Sequence, residues 1–183
     1  MEKGQYFAGK LKPNPGEDQR RLNRMHVEYI KRISNLYTTL GYSSYTWVRN
    51  EDTPPWQPLK KPLNECRVAV SASGGIYKAG QLAFHYKDDD SYRAIPKDVN
   101  IKDLRITHFA YDMTDARRDP NCVFPIEPLQ RMEKEGFIGN LASFQYTFMG
   151  GIYSSRKVRE NLAPAIIDKL LKDKVDALLL VPV

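Results

Sequence analysis

The stretch CRVAVSASGG, residues 66–75, decides the fold. A short apolar, β-branched run is followed at once by small residues, the pattern of a buried strand delivered into a tight turn. Outward from it, strand-like and helix-like segments alternate. LRITHF (104–109) is a second candidate strand and ends at a histidine. Residues 126–135 read as a short helix, with Pro125 and Pro128 near its start and Gly136 at its end. A third strand is expected within 139–149, before Gly150 and Gly151. Residues 155–172 read as a longer helix that Pro164 should kink or restart. VDALLLVPV (175–183) is the most apolar run and reads as a strand buried on both faces.

Strands alternating with helices imply right-handed crossovers and a mainly parallel sheet. The expectation is a three-layer α/β domain over residues 62–183, flavodoxin- or Rossmann-like, carrying an N-terminal helical arm over residues 1–61. In that arm Leu22, Met25, Tyr29, Ile33, Leu36 and Leu40 recur at steps of three or four, which predicts a helix over 17–40. Gly41 supplies its stop. The proline-rich EDTPPWQPLKKP reads as an extended connector.

Composition excludes several classes. At 42% hydrophobic and 27% charged the chain can bury a core, and no run approaches the roughly 18 apolar residues of a membrane span. MEKGQYFAGKLKPNPGEDQRR has no apolar stretch to act as a secretory signal, so a cytoplasmic location is expected. The net charge of +6 is scattered. Its densest patch, Arg20, Arg21, Arg24, Lys31 and Arg32, reads as one solvated helix face, and no nucleic-acid partner is expected. Two cysteines without CxxC spacing point to reduced thiols. His85, His108 and Cys122 have no diagnostic metal-ligand spacing, so no metal is expected; His26 and His85 are the weaker histidine candidates.

In an open parallel sheet, ligands bind beyond the carboxyl ends of the strands. That rule selects residues 71–75, the segment from His108 through Tyr111 and Asp112, and the place just past Val183. Ser71, Ser73, Gly74 and Gly75 offer backbone N–H groups to a carboxylate or phosphate, or else form a simple tight turn. His108 is a candidate general acid or base with Asp112 to orient it, and equally a structural hydrogen-bonding residue. Arg93 is a candidate fork for a carboxylate or one half of a surface ion pair. Cys122 reads as a reactive or resolving thiol or as a buried structural one.

The ordered series RVAVSASGGIY, DDDSYRAIP, ITHFAYD, DPNCVFPI, EGFIGNLA, FMGG and VDALLLVPV resembles the selenoprotein B family of the glycine, sarcosine, betaine and D-proline reductases. The resemblance implies a selenocysteine, or sometimes a cysteine, directly after VDALLLVPV. By the same resemblance that residue attacks the substrate and helps cleave a C–N bond reductively, and a thiol or thioredoxin-like reductant restores it. A partner subunit bearing a pyruvoyl group is expected to activate the amine or amino-acid substrate. Codon 184 is accordingly expected to be UGA, followed in frame by a further βα segment, and the 183-residue chain to be inactive for want of its nucleophile. Two other expectations compete. One is a non-catalytic binding protein holding a small anion at the Ser73 turn and Arg93. The other is an unrelated α/β enzyme using His108 and Cys122 directly.

Overall fold

The structure is a computed structural model that describes residues 28–44, 49–54 and 57–183. They fall into two compact units, Met1–Glu51 and Asp52–Val183. The first contains helix α1 (Tyr29–Thr39). The second contains strands β1 (Arg67–Ala72), β2 (Ile76–Lys78), β3 (Tyr92–Pro96) and β4 (Leu104–Ile106), then helices α2 (Thr114–Arg118) and α3 (Ile126–Lys134). Strands β5 (Asn140–Leu141) and β6 (Phe144–Phe148), helices α4 (Ser155–Lys157) and α5 (Ala163–Lys172), and strand β7 (Ala177–Val181) complete it. The predicted helix start at Glu17, with Leu22, Met25, His26 and the Arg20, Arg21 and Arg24 patch, lies outside the described residues. So do residues 45–48 and 55–56 of the connector.

Helix α1 closes as its sequence predicts. Gly41 adopts φ +84°, and the Tyr42 and Gly41 N–H groups donate to the Tyr37 and Thr38 carbonyls at 3.0 Å each. This paired closure needs a left-handed residue, which glycine provides without a Cβ penalty.

Strand β1 is the centre of the second unit. Val68, Val70 and Ala72 point to one side of the sheet and pack with Ile76, Leu104, Ile106, Phe124, Ile126 and Leu129. Ala69 points to the other and packs with Tyr146, Leu162, Ile166 and Leu170. Period-two alternation puts these clusters on opposite faces, so β1 is buried on both, as an α/β sheet requires. It pairs in parallel with β5 and β6 along one edge and with β7 along the other. Ion pairs of Arg67 with Asp173 and of Lys61 with Asp176 occupy the amino end of this array, away from the strands' carboxyl ends.

The β1 ladder is interrupted. Arg67 and Val68 pair with Asn140 and Leu141, but Ser71 and Ala72 pair with Tyr146 and Thr147. The extra residues Ala142 and Ser143 would leave backbone groups unpaired. Gln145, fully buried, repairs the break: its Oε1 accepts from the Val70 N–H at 2.7 Å and its Nε2 donates to the Ala142 carbonyl at 2.9 Å. A buried polar side chain is retained at this point because backbone donors and acceptors must be satisfied.

The fold is α/β and its sheet is mainly parallel, as read from the sequence, with β3 antiparallel to β6. Two expectations need correction. The candidate strand at 104–109 does not join the sheet. Only Leu104–Ile106 is strand, and it pairs antiparallel with β2 in a separate two-stranded ribbon. Strand β7 is not buried on both faces: Leu178, Leu179 and Leu180 are between 38% and 66% exposed. Among the described residues β7 has a partner on one edge alone, and an outer strand cannot be covered as a central one is.

Pro164 restarts its helix. Val158–Leu162 forms a π turn between α4 and α5, with the Ala163 N–H donating to the Val158 carbonyl. The wider turn relieves the two demands Pro164 makes, a missing N–H and ring space near residue 160. Among the described residues, no helix is long and apolar enough to cross a membrane.

Candidate functional site

The turn that leaves β1 is held from three sides. The Ser73 N–H donates to the Val181 carbonyl at 3.1 Å, and the Gly75 N–H donates to the Phe148 carbonyl at 3.0 Å. The Ser73 carbonyl accepts from the Gly150 N–H at 2.9 Å, and the Ser73 hydroxyl accepts from the Val183 N–H at 2.9 Å. The carboxyl ends of β1, β6 and β7 therefore meet at Ser73. This also limits the anion cradle suggested by the sequence, since the Ser73 and Gly75 N–H groups are already engaged. Ser71 lies within the ladder between Tyr146 and Leu180 and does not reach the turn.

Gly75 brings the ribbon into the same place. It adopts φ +67°, and its carbonyl accepts from the Thr107 N–H at 3.0 Å. A Cβ at this position would overlap the Thr107 carbonyl oxygen. The Thr147 hydroxyl donates to the Ile76 carbonyl, a second clasp between ribbon and sheet. His108 follows directly. A Cβ at Gly75 would stand 3.5 Å from the imidazole Cδ2, so the histidine packs against the turn after β1 although β4 is not a strand of the main sheet.

His108 is 3% exposed. Its Nδ1 accepts from the Ala110 N–H at 3.0 Å, so the neutral ring carries its proton on Nε2. That Nε2 is buried and has no hydrogen-bond partner. Burial holds the imidazole below its ordinary pKa, with the Ser73 backbone opposing. Phe109 stacks on the ring with centroids 5.6 Å apart and planes at 14°, and Tyr111 lies 4.6 Å away at 48°. The Tyr111 hydroxyl donates to the Gly74 carbonyl at 2.9 Å. Burial raises the Tyr111 pKa and Cys122 adds to the effect, with Arg117 opposing, so the phenol keeps the proton it donates.

A pH dependence of stability follows. The unfolded chain protonates His108 below about pH 6.5, whereas the folded ring resists. This residue's contribution is therefore complete above that pH and is lost as pH falls toward the lower folded pKa. Chemical denaturation at stepped pH just below about 6.5 is expected to show a falling stability that His108→Gln removes.

The other sequence candidates lie differently. Asp112 does not orient His108; it is exposed, and its Oδ1 accepts from the Thr114 N–H and hydroxyl at 2.9 and 2.7 Å, capping the start of α2. Arg93 is on β3, separated from β1 by β6. Its guanidinium donates to the Leu82, Tyr92 and Ala83 carbonyls and to the Ser91 hydroxyl, and it lies 4.2 Å over the Phe84 ring. It latches the 82–91 loop and is not a fork for a ligand in this crevice. Cys122 is exposed rather than buried. It precedes Val123, whose Cβ, like Val183 Cγ2, would touch a side chain at Gly74, at 3.3 and 3.4 Å. Cys66 is the buried thiol, and His85 is exposed. Sequence reasoning missed Phe109 and Gly151. The glycine pair ending FMGG and the aromatic after His108 were the available signals.

The same succession of segments occurs in known proteins. A family profile described as glycine/sarcosine/betaine reductase selenoprotein B matches residues 30–183. The chain belongs to that family. It is 36% identical over 148 residues to the D-proline reductase subunit gamma of Acetoanaerobium sticklandii, covering 81% of this chain and 61% of that protein. It is 27% identical over 184 residues to the glycine reductase complex component B subunit gamma of Symbiobacterium thermophilum, covering 98% of this chain and 42% of that protein. A sarcosine reductase complex component B subunit beta of Peptoclostridium acidaminophilum is 26% identical over 138 residues, covering 70% of this chain and 30% of that subunit. The chain thus spans less than two thirds of the length of these reductase relatives. No solved structure matches it significantly.

Proposed function

We propose that this crevice serves a reductase subunit that cleaves the C–N bond of a small amine or amino acid of the glycine, sarcosine, betaine or D-proline type. The observation that carries the reading is the unpartnered Nε2–H of His108, buried beside Ser73, where the Val183 N–H is also bound. By resemblance, a selenocysteine or cysteine after VDALLLVPV supplies the electron-rich atom that attacks the substrate. The residues present suit an anion at that place: a buried imidazole N–H without a protein partner lies beside the turn that binds Val183.

In this reading His108 acts as a neutral hydrogen-bond donor, a role narrower than general acid or base. A second proton on Nδ1 would face the Ala110 N–H, so a cycle through imidazolium is disfavoured. A fixed donor in a site closed to water stabilises negative charge as it develops. Phe109 and Tyr111 exclude water around the ring, and Ser73 anchors the segment leaving β7. The pyruvoyl group expected on a partner subunit would activate an amino-acid substrate that has a free amine. A thioredoxin-like or small thiol partner would supply the electrons, in the cytoplasm.

The test is reductive C–N cleavage by the reductase assembled around this subunit with a dithiol as electron source, read as amine release from glycine, sarcosine or betaine and as ring opening of D-proline. His108→Asn is expected to lower kcat about 10²–10³-fold, the loss typical of one such donor, and Asp112→Asn to change it less than about twofold. The His108-dependent part of the rate should show no inflection near about pH 6.5. Absence of C–N cleavage of every one of the four substrates by the wild-type assembly would overturn the reading, as would a native protein bearing neither selenium nor a thiol after Val183.

A further inference from the structure

We infer that Phe109, seated in the slot left open by Gly151, is the positioning residue that holds the His108 imidazole in its buried orientation. Two observations carry this. The Phe109 ring lies nearly parallel to the imidazole, at 5.6 Å and 14°. A Cβ at Gly151 would overlap two atoms of the same ring, Cζ and Cε1, so the ring occupies space that only a glycine leaves free.

Phe109 is 40% exposed, an unfavourable setting for a phenylalanine unless its buried face has a purpose. Its outer edge meets Tyr86 at 6.3 Å and 64°. The ring therefore lies between solvent and His108, with the imidazole on one face and the Gly151 backbone beneath. Tyr111 is the titratable group against the imidazole, and Cys122 and Arg117 act on Tyr111. Gly151 follows Gly150, which is bound to the Ser73 carbonyl. The slot is thereby anchored to the turn after β1, and the positions of Phe109 and Ser73 are linked through one short segment.

The consequence for turnover rests on the proposed role of His108, but the geometry can be tested without it. Proton NMR of the 183-residue chain across pH gives a readout independent of activity, with exposed His85 as an internal reference. Phe109→Ala is expected to change the ring-current displacement of the His108 ring protons, leaving the Tyr111 share, and to move that residue's titration up toward an ordinary value. Phe109→Tyr should restore both. Gly151→Ala should displace the ring and produce the same shifts, but should add little when Phe109 is already alanine, because the obstructed ring is gone.

Unchanged His108 resonances and titration in Phe109→Ala would overturn the inference. So would a Gly151→Ala effect of equal size with and without the Phe109 ring. If the titration moves as expected while C–N cleavage is unaffected, the positioning stands and the catalytic reading of His108 fails.

Discussion

Gly75→Ala is expected to destabilise the second unit by about 2–5 kcal/mol and to detach His108 from the turn after β1. Two costs combine. The residue sits at φ +67°, where a side chain costs roughly 1–2 kcal/mol. Its Cβ would also overlap a backbone oxygen, that of Thr107, and relieving such overpacking costs about 1–3 kcal/mol. The overlap cannot be relieved by turning a side chain. Either β4 moves away or the turn does, and each movement breaks the bonds that tie Gly75 to Thr107 and Phe148. A natural comparison exists within the chain. Gly80 has φ +93°, and a Cβ there would meet nothing within 4 Å. Gly80→Ala should therefore show the backbone cost alone, about 1–2 kcal/mol. Urea unfolding of both variants, with slopes compared, separates the two contributions. Equal losses would mean that the close approach to Thr107 contributes nothing.

Gln145→Met is expected to cost about 2–6 kcal/mol with little change of side-chain volume. Methionine leaves the Val70 N–H and the Ala142 carbonyl without the partners Gln145 now gives them at 2.7 and 2.9 Å. Each buried group left unsatisfied costs about 1–3 kcal/mol. Because Val70 is in the central strand, the damage should also be visible locally. Hydrogen exchange of the Val70 amide should rise from among the slowest in the chain to well above its β1 neighbours. A loss under about 1 kcal/mol would show that water or a shifted ladder replaces the amide, and that Gln145 is not what mends the break in the β1 ladder.

Both predictions concern residues whose roles no local pattern announces. Gly75 reads in sequence as part of a tight turn, and so it is. What the turn also does, admitting the Thr107 carbonyl, depends on a ribbon contributed by residues about thirty positions later. Gln145 looks like one polar residue in a strand-like segment. Its importance comes from the register jump between β5 and β6 against β1, which involves a partner far away in the chain.

The same distinction runs through the site. His108 was legible as a candidate because it ends an apolar run, and it does reach the mouth of the sheet. Its supposed partner was not: Asp112 is near in sequence but caps α2, while the Ala110 N–H holds the ring. Arg93 misled in the same way, since a guanidinium looks available until the carbonyls of its own loop are seen to engage it. For Cys122, the usual burial of cysteines pointed inward, whereas its place in a short 3₁₀ turn leaves it exposed.

By itself the sequence determined the alternation of strands and helices, a strand read at 66–71 and its glycine turn, the helix stop at Gly41, and the family. These depend on short-range periodicity, on glycine and proline conformational preferences, and on the order of motifs, all properties of neighbouring residues. Tertiary structure alone decided that β3 is antiparallel, that β4 leaves the sheet, that β7 is an outer strand, and that Phe109 and Gly151 enclose His108. Each of these is a pairing between distant segments. Hydrogen-bonding groups and apolar faces on one segment have several nearly equivalent partners, and only simultaneous packing of the whole unit selects among them.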